Sequence, residues 1–386
     1  MKIIRPVPII SAMLTASNVP ETDYAAYNAG TTYTTGQRCM DTATHKIYES
    51  LESGRLELLT LDVAPAIPWL PDEILTGQTS GKTCVVVQYL TNLTYLVKSR
   101  SGAFTLGEVI GVTGTAVLLA DQGASYPTFA VQANVGHDPA TDCALETPLW
   151  WKEVSATNRW KAFDTKVGTQ TEQATSITYQ ITPGQIFDSI AFLNLDAVSV
   201  EIKLTDPTEG VVYDETVDLL TTVVTGAAEI YDWYSYFFSS YFLKSDFVKL
   251  DIPLYLNAVL DITITYSGGT AKVGGIILGL QTNIGTTLKT PKIEIVDYST
   301  FAIDDYGVYE IEERGYSKKI TCDMRIPNIS VDNVQNLLAF YRATLLVWVG
   351  DENYSSLIVY GKYNSFEIVL EYTNYSECAL EILGRT

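Results

Sequence analysis

The sequence predicts a mostly β protein that is divided into several domains. With 386 residues the chain is too long for one ordinary core, so about two to four domains are expected. Hydrophobic residues make up 47% of the chain and charged residues 18%, a balance that favours folded domains over disorder. The 25 tyrosines and 26 glycines, together with many threonines, are typical of strands joined by turns.

The first region, residues 1–52, is expected to begin with an extended arm or a first strand. Its opening text, MKIIRPVPIISAMLTAS, superficially resembles a signal peptide, but Pro6 and Pro8 interrupt the apolar run. Short strands around Tyr33 and Tyr48 then alternate with turn sequences and predict a small meander.

The next region, residues 53–132, predicts a compact β-subdomain of about five short strands, built as a small barrel or sandwich. Apolar residues alternate there with glycine turns, as in GAFTLGEVIGVTGTAVLLADQ. Residues 133–164 return to the aromatic-rich character of the first region. We therefore treat 53–132 as a region distinct from the text on either side.

The second half of the chain predicts two further regions. Long alternating strands in 165–285 predict a central β-sandwich of jelly-roll type. Residues 286–386 predict a mixed α+β domain with one helix at 331–343, which Ser330 is placed to cap. The apolar residues of this helix recur at steps of three and four and predict one buried face: Val331, Val334, Leu337, Leu338 and Tyr341.

The charge and the cysteines exclude several classes of function. The net charge of −20 makes nucleic acid a poor partner, because phosphate binding needs a surplus of Lys and Arg. An acidic membrane surface is disfavoured for the same reason, and no apolar run is long enough to predict membrane insertion. The five cysteines are scattered without a CxxC pair, which predicts reduced, mostly buried thiols and no metal or cofactor: Cys39, Cys84, Cys143, Cys322 and Cys378.

Three of the six tryptophans lie close together in the stretch ETPLWWKEVSATNRWKAFD. Their rings could stack on a sugar, or they could pack a small module that has little aliphatic material. If Trp150 and Trp151 lie in one strand, they point to opposite faces, so at most one of them faces the core. In TNRWKAFD we expect Arg159 to pair with Asp164, and Trp160 to anchor the link into the sandwich.

Residues 27–52 and 133–164, joined across the insertion, resemble the small carbohydrate-binding module of chitinases and of many tailed-phage structural proteins. That module reads aromatic, G-x-x-Y-x-x-G, a hairpin, Y-x-S, N-x-G-x-x-P and finally W. The matching positions here are Tyr27, Gly30, Tyr33, Gly36, Tyr48, Ser50, Asn134, Gly136, Pro139 and Trp150 or Trp151. TNRWKAFD and the C-terminal strand text are also similar to elements of phage tail proteins.

The resemblance implies that 1–52 and 133–164 form one split module with 53–132 inserted into it. It also implies that a sugar would stack on Tyr33, Tyr48, Trp150 and Trp151. The insertion departs from the simple module, in which only a few residues separate Y-x-S from N-x-G. An insertion at that point is expected to cover or rebuild the ligand face of the module.

A second aromatic concentration lies at 230–247, in IYDWYSYFFSSYFLKSDF. Tyrosine and tryptophan dominate the hot spots of protein interfaces, and a segment this aromatic exceeds what one sandwich core can bury. Two interpretations stay open, a subunit contact and a core segment. The interface candidates are Trp233, Tyr234, Tyr236, Phe237, Phe238 and Tyr241.

Candidates for catalysis or metal binding are weak. Asp304 and Asp305, with the three glutamates of EIEERG, could form a calcium site or a glycosidase pair, but adjacent carboxylates in strand text usually face opposite ways. The two histidines, His45 and His137, lie in turn-like text, and no G-x-S-x-G motif occurs. We therefore expect no catalytic residue, no metal site and no cofactor.

The predicted function is that of a non-enzymatic structural protein in the tail tip or baseplate of a tailed phage. Expected partners are other tail proteins, further copies of the same chain and a host surface glycan. The expected location is the virion, after synthesis in the host cytoplasm. The alternatives are a host-receptor-binding lectin of the tail and a polysaccharide-degrading tail enzyme.

Overall fold

The computed structural model describes residues 1–51, 56–114, 120–131, 137–145, 148, 150–222, 241–288, 291–303, 309–370 and 373–385. Strands account for 51% and helices for 8%, which confirms the predicted mostly β fold class. The chain forms two compact units. The large unit comprises Met1–Glu21 and Asn158–Thr386, and the small unit comprises Thr22–Thr157.

The described elements up to residue 157 are β1 (Lys2–Val7), β2 (Leu14–Ser17), β3 (Arg38–Asp41), β4 (Lys46–Ser50), β5 (Glu57–Thr60), β6 (Ile74–Gly77), β7 (Thr83–Thr91), β8 (Thr94–Lys98), β9 (Val109–Val112), β10 (Ala120–Asp121), β11 (Thr128–Val131), α1 (Pro139–Asp142) and β12 (Trp151–Ala156).

The elements that follow are β13 (Thr171–Ile181), β14 (Ser189–Leu193), β15 (Ser199–Asp206), β16 (Gly210–Asp218), β17 (Leu220–Thr222), β18 (Tyr241–Leu243), β19 (Phe247–Lys249), β20 (Val259–Val273), β21 (Gly275–Asn283), β22 (Thr286–Thr287), β23 (Lys292–Asp297), β24 (Thr300–Ile303), β25 (Tyr309–Glu312), β26 (Tyr316–Pro327), α2 (Val331–Phe340), β27 (Leu346–Val349), β28 (Ile358–Val369) and β29 (Tyr375–Gly384). The described residues also form 3₁₀ helices at Asn158–Phe163, Asn328–Ser330 and Ser355–Leu357.

The strands that the structure describes in the small unit form two sheets. A three-stranded sheet has the order β12-β4-β3. Strand β4, which precedes the predicted insertion, therefore pairs with β12, which follows it. A seven-stranded sheet has the order β10-β9-β6-β7-β8-β5-β11 and holds the strands of the region predicted as an insertion. Trp69 and Tyr95 are fully buried in the core of this second sheet, with ring centroids 5.0 Å apart.

A partly buried ion pair joins strand β5 to the segment after β8. The Arg100 Nε and Nη2 atoms donate to the two carboxylate oxygens of Glu57 at 2.6 and 2.7 Å. The same guanidinium lies 4.6 Å above the ring of Phe129. Because the two hydrogen bonds fix the planar fork, the pair holds the start of β5 to the segment after β8 and neutralises a carboxylate that is 11% exposed.

The large unit is built on a ten-stranded sheet whose main path is β19-β14-β21-β1-β27-β28-β29-β26, with β22 and β23 both pairing with β26. The predicted first strand, β1, is internal to this sheet and lies between β21 and β27. Strands β14 and β27 are buried at every residue. Both faces of the sheet are covered at these strands, which explains the uninterrupted apolar text SIAFL and LVWV.

A second sheet, of order β16-β15-β20-β13-β2, packs on β14 and β21 to form a β-sandwich. Its inward residues alternate along each strand, as Val200, Ile202 and Leu204 do in β15. The domain boundary predicted between residues 285 and 286 falls within the sequence of a single sheet. Strands β14 and β21 of the ten-stranded sheet precede this boundary, whereas β26–β29 follow it.

Helix α2 buries Val331, Val334 and Leu338, with Leu337 and Tyr341 packed beside them, as its periodicity predicts. It ends at Phe340 rather than at residue 343. The cap predicted at Ser330 is wrong: its side chain makes no capping hydrogen bond, because the residue closes a 3₁₀ turn and already has helical dihedral angles.

Candidate functional site

The candidate sugar-binding residues belong to one buried cluster of the small unit, which is rich in aromatic side chains. Tyr33, Tyr48, Trp150 and Trp151 are exposed by only 4%, 2%, 3% and 0%. The rings of Tyr33 and Trp151 meet edge to face with centroids 5.0 Å apart, and Tyr27 stacks on Tyr33 at 5.9 Å. Edge-to-face and offset pairs are how a small core packs when aliphatic side chains are few.

The carboxylate of Asp142 determines where both tryptophans point. This residue is 6% exposed, and its Oδ2 atom accepts the backbone N–H groups of Trp150 and Trp151, each at 2.9 Å. Trp150 lies in a bend just before β12, so the two residues do not alternate as strand neighbours do. The expectation that at most one of them faces inward is therefore wrong, and both indoles are buried.

The stacking role predicted for these four residues does not match their positions. A pyranose needs an accessible ring face, whereas these rings are covered by their neighbours. The indole of Trp150 is covered by the exposed imidazole of His137, with ring centroids 4.4 Å apart and planes 19° from parallel. The indole N–H of Trp151 donates to the backbone oxygen of His137 at 2.8 Å. The alternative interpretation, packing of the module, is the one that the geometry supports.

The surface of the three-stranded sheet carries a different aromatic group. Tyr24 is 37% exposed, and its hydroxyl accepts a hydrogen bond from Arg38 Nη1 at 3.3 Å. The Nε atom of Arg38 donates to Glu49 at 2.8 Å, and these two residues are cross-strand partners in β3 and β4. A half-exposed ring beside a guanidinium and a carboxylate has the chemistry of a sugar subsite. Sequence reasoning missed it because Tyr24 lies outside the module pattern.

The link at TNRWKAFD is structural, although one predicted contact is wrong. Trp160 is 9% exposed and lies edge to face with Phe163 at 5.8 Å. Arg159 does not pair with Asp164. It donates to the backbone oxygen of Val19 at 2.7 Å and lies 3.7 Å from the carboxylate of Glu21. The 3₁₀ helix directs Arg159 towards the N-terminal segment, which is remote in sequence.

The predicted interface candidates cannot be placed as side chains. Trp233, Tyr234, Tyr236, Phe237 and Phe238 lie outside the described residues. The backbone of Tyr241 pairs with Thr222 in the small β17–β18 sheet, and its side chain is outside the description. The interface role of this segment stays a prediction.

The acidic and histidine candidates form no reactive constellation that the structure describes. Asp304 and Asp305 lie outside the described residues, as does the side chain of Glu310. Hydrogen bonds from Arg314 and then Thr300 hold the pKa of Glu312 below its usual value. His45 occupies a turn at φ +57°, as its turn-like text predicts. In the part of the chain that the structure covers, no three His, Cys, Asp or Glu residues are arranged to hold a metal ion.

The predicted buried thiols are largely as expected. Cys39, Cys84, Cys322 and Cys378 are buried, and Cys143 is half-buried. Burial raises the pKa of Cys39, Cys84 and Cys378 to about 12 and that of Cys322 to about 11. Thiols that stay protonated at neutral pH are poor nucleophiles and poor metal ligands.

A set of exposed apolar side chains is distributed along strand β23, the β24–β25 hairpin and the start of β26. We call it the edge surface and define it by five residues whose exposed fractions run from 46% to 69%. Strand β23 pairs only with β26, so its other edge is open among the described strands. Ile293 and Ile295 lie on one face of β23, because side chains alternate along a strand. The members of the edge surface are Ile293, Ile295, Tyr298, Ile311 and Tyr316.

Comparison with protein-family models, with curated proteins and with solved structures finds no match to this chain. Among the described residues, no helix is both long enough and apolar enough to cross a bilayer.

Proposed function

We propose that this protein is a non-enzymatic structural subunit of a tailed-phage virion, located in the tail tip or baseplate, which acts through assembly contacts. The edge surface is the observation that supports assembly. The resemblance of 27–52, 133–164 and TNRWKAFD to tail proteins supports the virion. The partners would be further copies of this chain and neighbouring tail proteins.

The physical argument for assembly combines an open strand edge with exposed isoleucines. Ile295 is 69% exposed and Ile311 is 65% exposed, values that are unfavourable for a monomer in water. Burying one such side chain in an interface stabilises the assembled state by about 1.5–3 kcal/mol. The free backbone groups of β23 are a template for pairing with another strand, so the same place offers hydrogen bonds and apolar area.

Association of the purified chain tests this proposal. In sedimentation velocity from about 1 to about 100 µM, we expect a concentration-dependent oligomer. The double variant Ile295→Lys, Ile311→Lys should weaken association at least about tenfold, because two charges would have to be buried. The matched control is Ile10→Lys, at a turn residue that is 53% exposed outside the edge surface.

A wild-type chain that stays monomeric throughout this range would contradict assembly through the edge surface. So would equal losses in the double variant and the control. The virion assignment has its own test, which is a reconstruction of the intact particle with this chain located in it. Absence of the chain from purified particles, or release of reducing sugar from host polysaccharide by the chain, would contradict the structural role.

A second candidate function is sugar binding by the small unit. The group of Tyr24, Arg38 and Glu49 favours it, because it joins a tyrosine that is 37% exposed to a guanidinium donor and a carboxylate acceptor. Stacking on such a ring and hydrogen bonds to hydroxyls are the interactions that a pyranose makes. The possible ligand face thus lies at Tyr24 rather than at the buried tryptophans.

A glycan array separates this candidate from a purely structural module. We expect Tyr24→Ala to abolish any glycan signal while leaving the thermal midpoint within about 2 °C of the wild type, since the ring is half-exposed. Tyr89→Ala is the matched control, because Tyr89 is 39% exposed on strand β7 of the other sheet. Glycan binding that survives in Tyr24→Ala would exclude this subsite.

A further inference from the structure

The large unit contains a cavity of about 180 Å³. It lies where the end of β14, the start of β26, the start of β28 and the end of β29 come together. Its walls include Leu193, Asn194, Lys318, Ile358, Tyr360 and Arg385. These residues come from distant parts of the sequence, so no local sequence motif predicts the cavity.

A fixed ion pair forms one wall. Asp246 has a side chain that is 6% exposed, and it pairs with the ammonium of Lys318. The same carboxylate accepts the backbone N–H of Asn194 at 2.9 Å and the hydroxyl of Ser245 at 3.1 Å. The Lys318 ammonium also donates to the backbone oxygen of Ser355 at 3.2 Å. An ammonium has three N–H donors, so these two bonds leave one donor of Lys318, a residue that lines the cavity.

A second cation stands at the same cavity. The backbone N–H of Arg385 donates to the oxygen of Tyr360 at 2.8 Å, which holds the residue beside the wall. Its guanidinium has no carboxylate within ion-pair distance among the described residues, and the residue is exposed. The described lining therefore carries two cations, Lys318 and Arg385, against the single carboxylate of Asp246. A cationic excess in a chain of net charge −20 is a local feature that favours an anion.

Other lining residues are apolar and belong to a packed core. Leu193, Ile358 and Tyr360 belong to one buried cluster. Asn194, at φ +50°, is held by a hydrogen bond from its own Nδ2 to Val167 and by Gln170, which donates to its backbone oxygen. The volume exceeds the roughly 150 Å³ of an engineered apolar cavity that accepts benzene. The cavity therefore has room for a six-membered ring and a charged head group.

We infer that this cavity binds a small organic anion, a carboxylate on a short aromatic or apolar body. The carboxylate would accept the remaining N–H of Lys318 and the guanidinium fork of Arg385, which matches carboxylate geometry. The body would lie against Leu193 and Ile358. Tyr316 of the edge surface also lines the cavity, whereas Tyr24, Arg38 and Glu49 of the sugar subsite do not.

Calorimetric titration of the full chain with benzoate tests the inference. We expect a dissociation constant of about 1 mM or tighter for benzoate, and binding of the neutral isostere benzamide that is at least about tenfold weaker. Arg385→Gln should weaken benzoate binding at least about fivefold and leave benzamide unchanged. Lys362→Gln is the matched control, because Lys362 is an exposed lysine of β28 outside the cavity and loses the same charge.

A cavity-filling variant adds a test of location. Ser245→Phe places a ring where the serine hydroxyl now meets Asp246, and it should abolish benzoate binding. If this variant does not fold, the comparison of Arg385→Gln with Lys362→Gln still decides. The inference would be overturned by the absence of benzoate binding up to about 10 mM. Equal affinities for benzoate and benzamide, or equal losses in Arg385→Gln and Lys362→Gln, would also overturn it.

Discussion

Replacing Trp151 by alanine should lower the free energy of unfolding of the small unit by about 4 kcal/mol. The side chain is fully buried, packs edge to face on Tyr33 and Tyr27, and donates its indole N–H at 2.8 Å. The substitution opens a cavity in a core with few aliphatic side chains and leaves the His137 carbonyl without this donor. Urea denaturation followed by far-UV circular dichroism measures the loss.

The control for this prediction is Tyr24→Ala, which removes a ring from the same small unit at a half-exposed position. We expect it to change the unfolding free energy by less than about 1 kcal/mol. If Trp151→Ala instead kept the stability of the wild type and lost glycan binding, the ligand-stacking role would be restored and the packing role would be wrong.

Replacing Glu108 by alanine should lower the free energy of unfolding of the small unit by about 3 kcal/mol or more. Glu108 is 2% exposed, and its two carboxylate oxygens accept the backbone N–H groups of Thr79, Ser80 and Thr105 at 2.7 to 3.0 Å, together with the Ser80 hydroxyl at 2.8 Å. Removing the carboxylate takes the acceptor away from three backbone donors at once, in hydrogen bonds that are partly buried. Differential scanning calorimetry gives the change.

Two variants calibrate the Glu108 result. Glu108→Gln keeps one oxygen acceptor and should recover part of the stability. Glu73→Ala is the matched control, because the Glu73 carboxylate is half-buried and accepts the backbone N–H of Leu70 at 2.7 Å. We expect it to cost about 1 kcal/mol or less. Equal effects of Glu73→Ala and Glu108→Ala would contradict the account based on a buried carboxylate that accepts three backbone donors.

The strands could be predicted because burial of one or both faces of a strand determines how apolar residues are spaced along its sequence. Val200, Ile202 and Leu204 alternate where one face of a strand is buried. The text LVWV is continuous where both faces are covered. The buried face of α2 could be predicted in the same way, because Val331, Val334 and Leu338 recur at helical steps.

Pairing over long sequence distances could not be predicted in the same way. Nothing near Lys2 indicates that it pairs with Asn283 and Val349. The geometry of the candidate site could not be predicted for the same reason, because it depends on contacts between residues that are not adjacent in sequence. The strand rule for Trp150 and Trp151 failed because Asp142, eight and nine residues earlier, bends the backbone through two hydrogen bonds. A single carboxylate in a turn-rich segment leaves no periodic pattern in the sequence from which its contacts could be predicted.

The internal position of β1 has a consequence for the order of synthesis. The strand leaves the ribosome before either of its neighbours, and β27 ends at residue 349. At about 5–20 residues per second, β1 therefore waits for tens of seconds as an unpaired apolar segment. The residues of Thr22–Thr157 are complete much sooner and can fold while the strand waits. The ten-stranded sheet is thus the last part to close, which makes β1 the segment most exposed to mispairing with a neighbouring nascent chain.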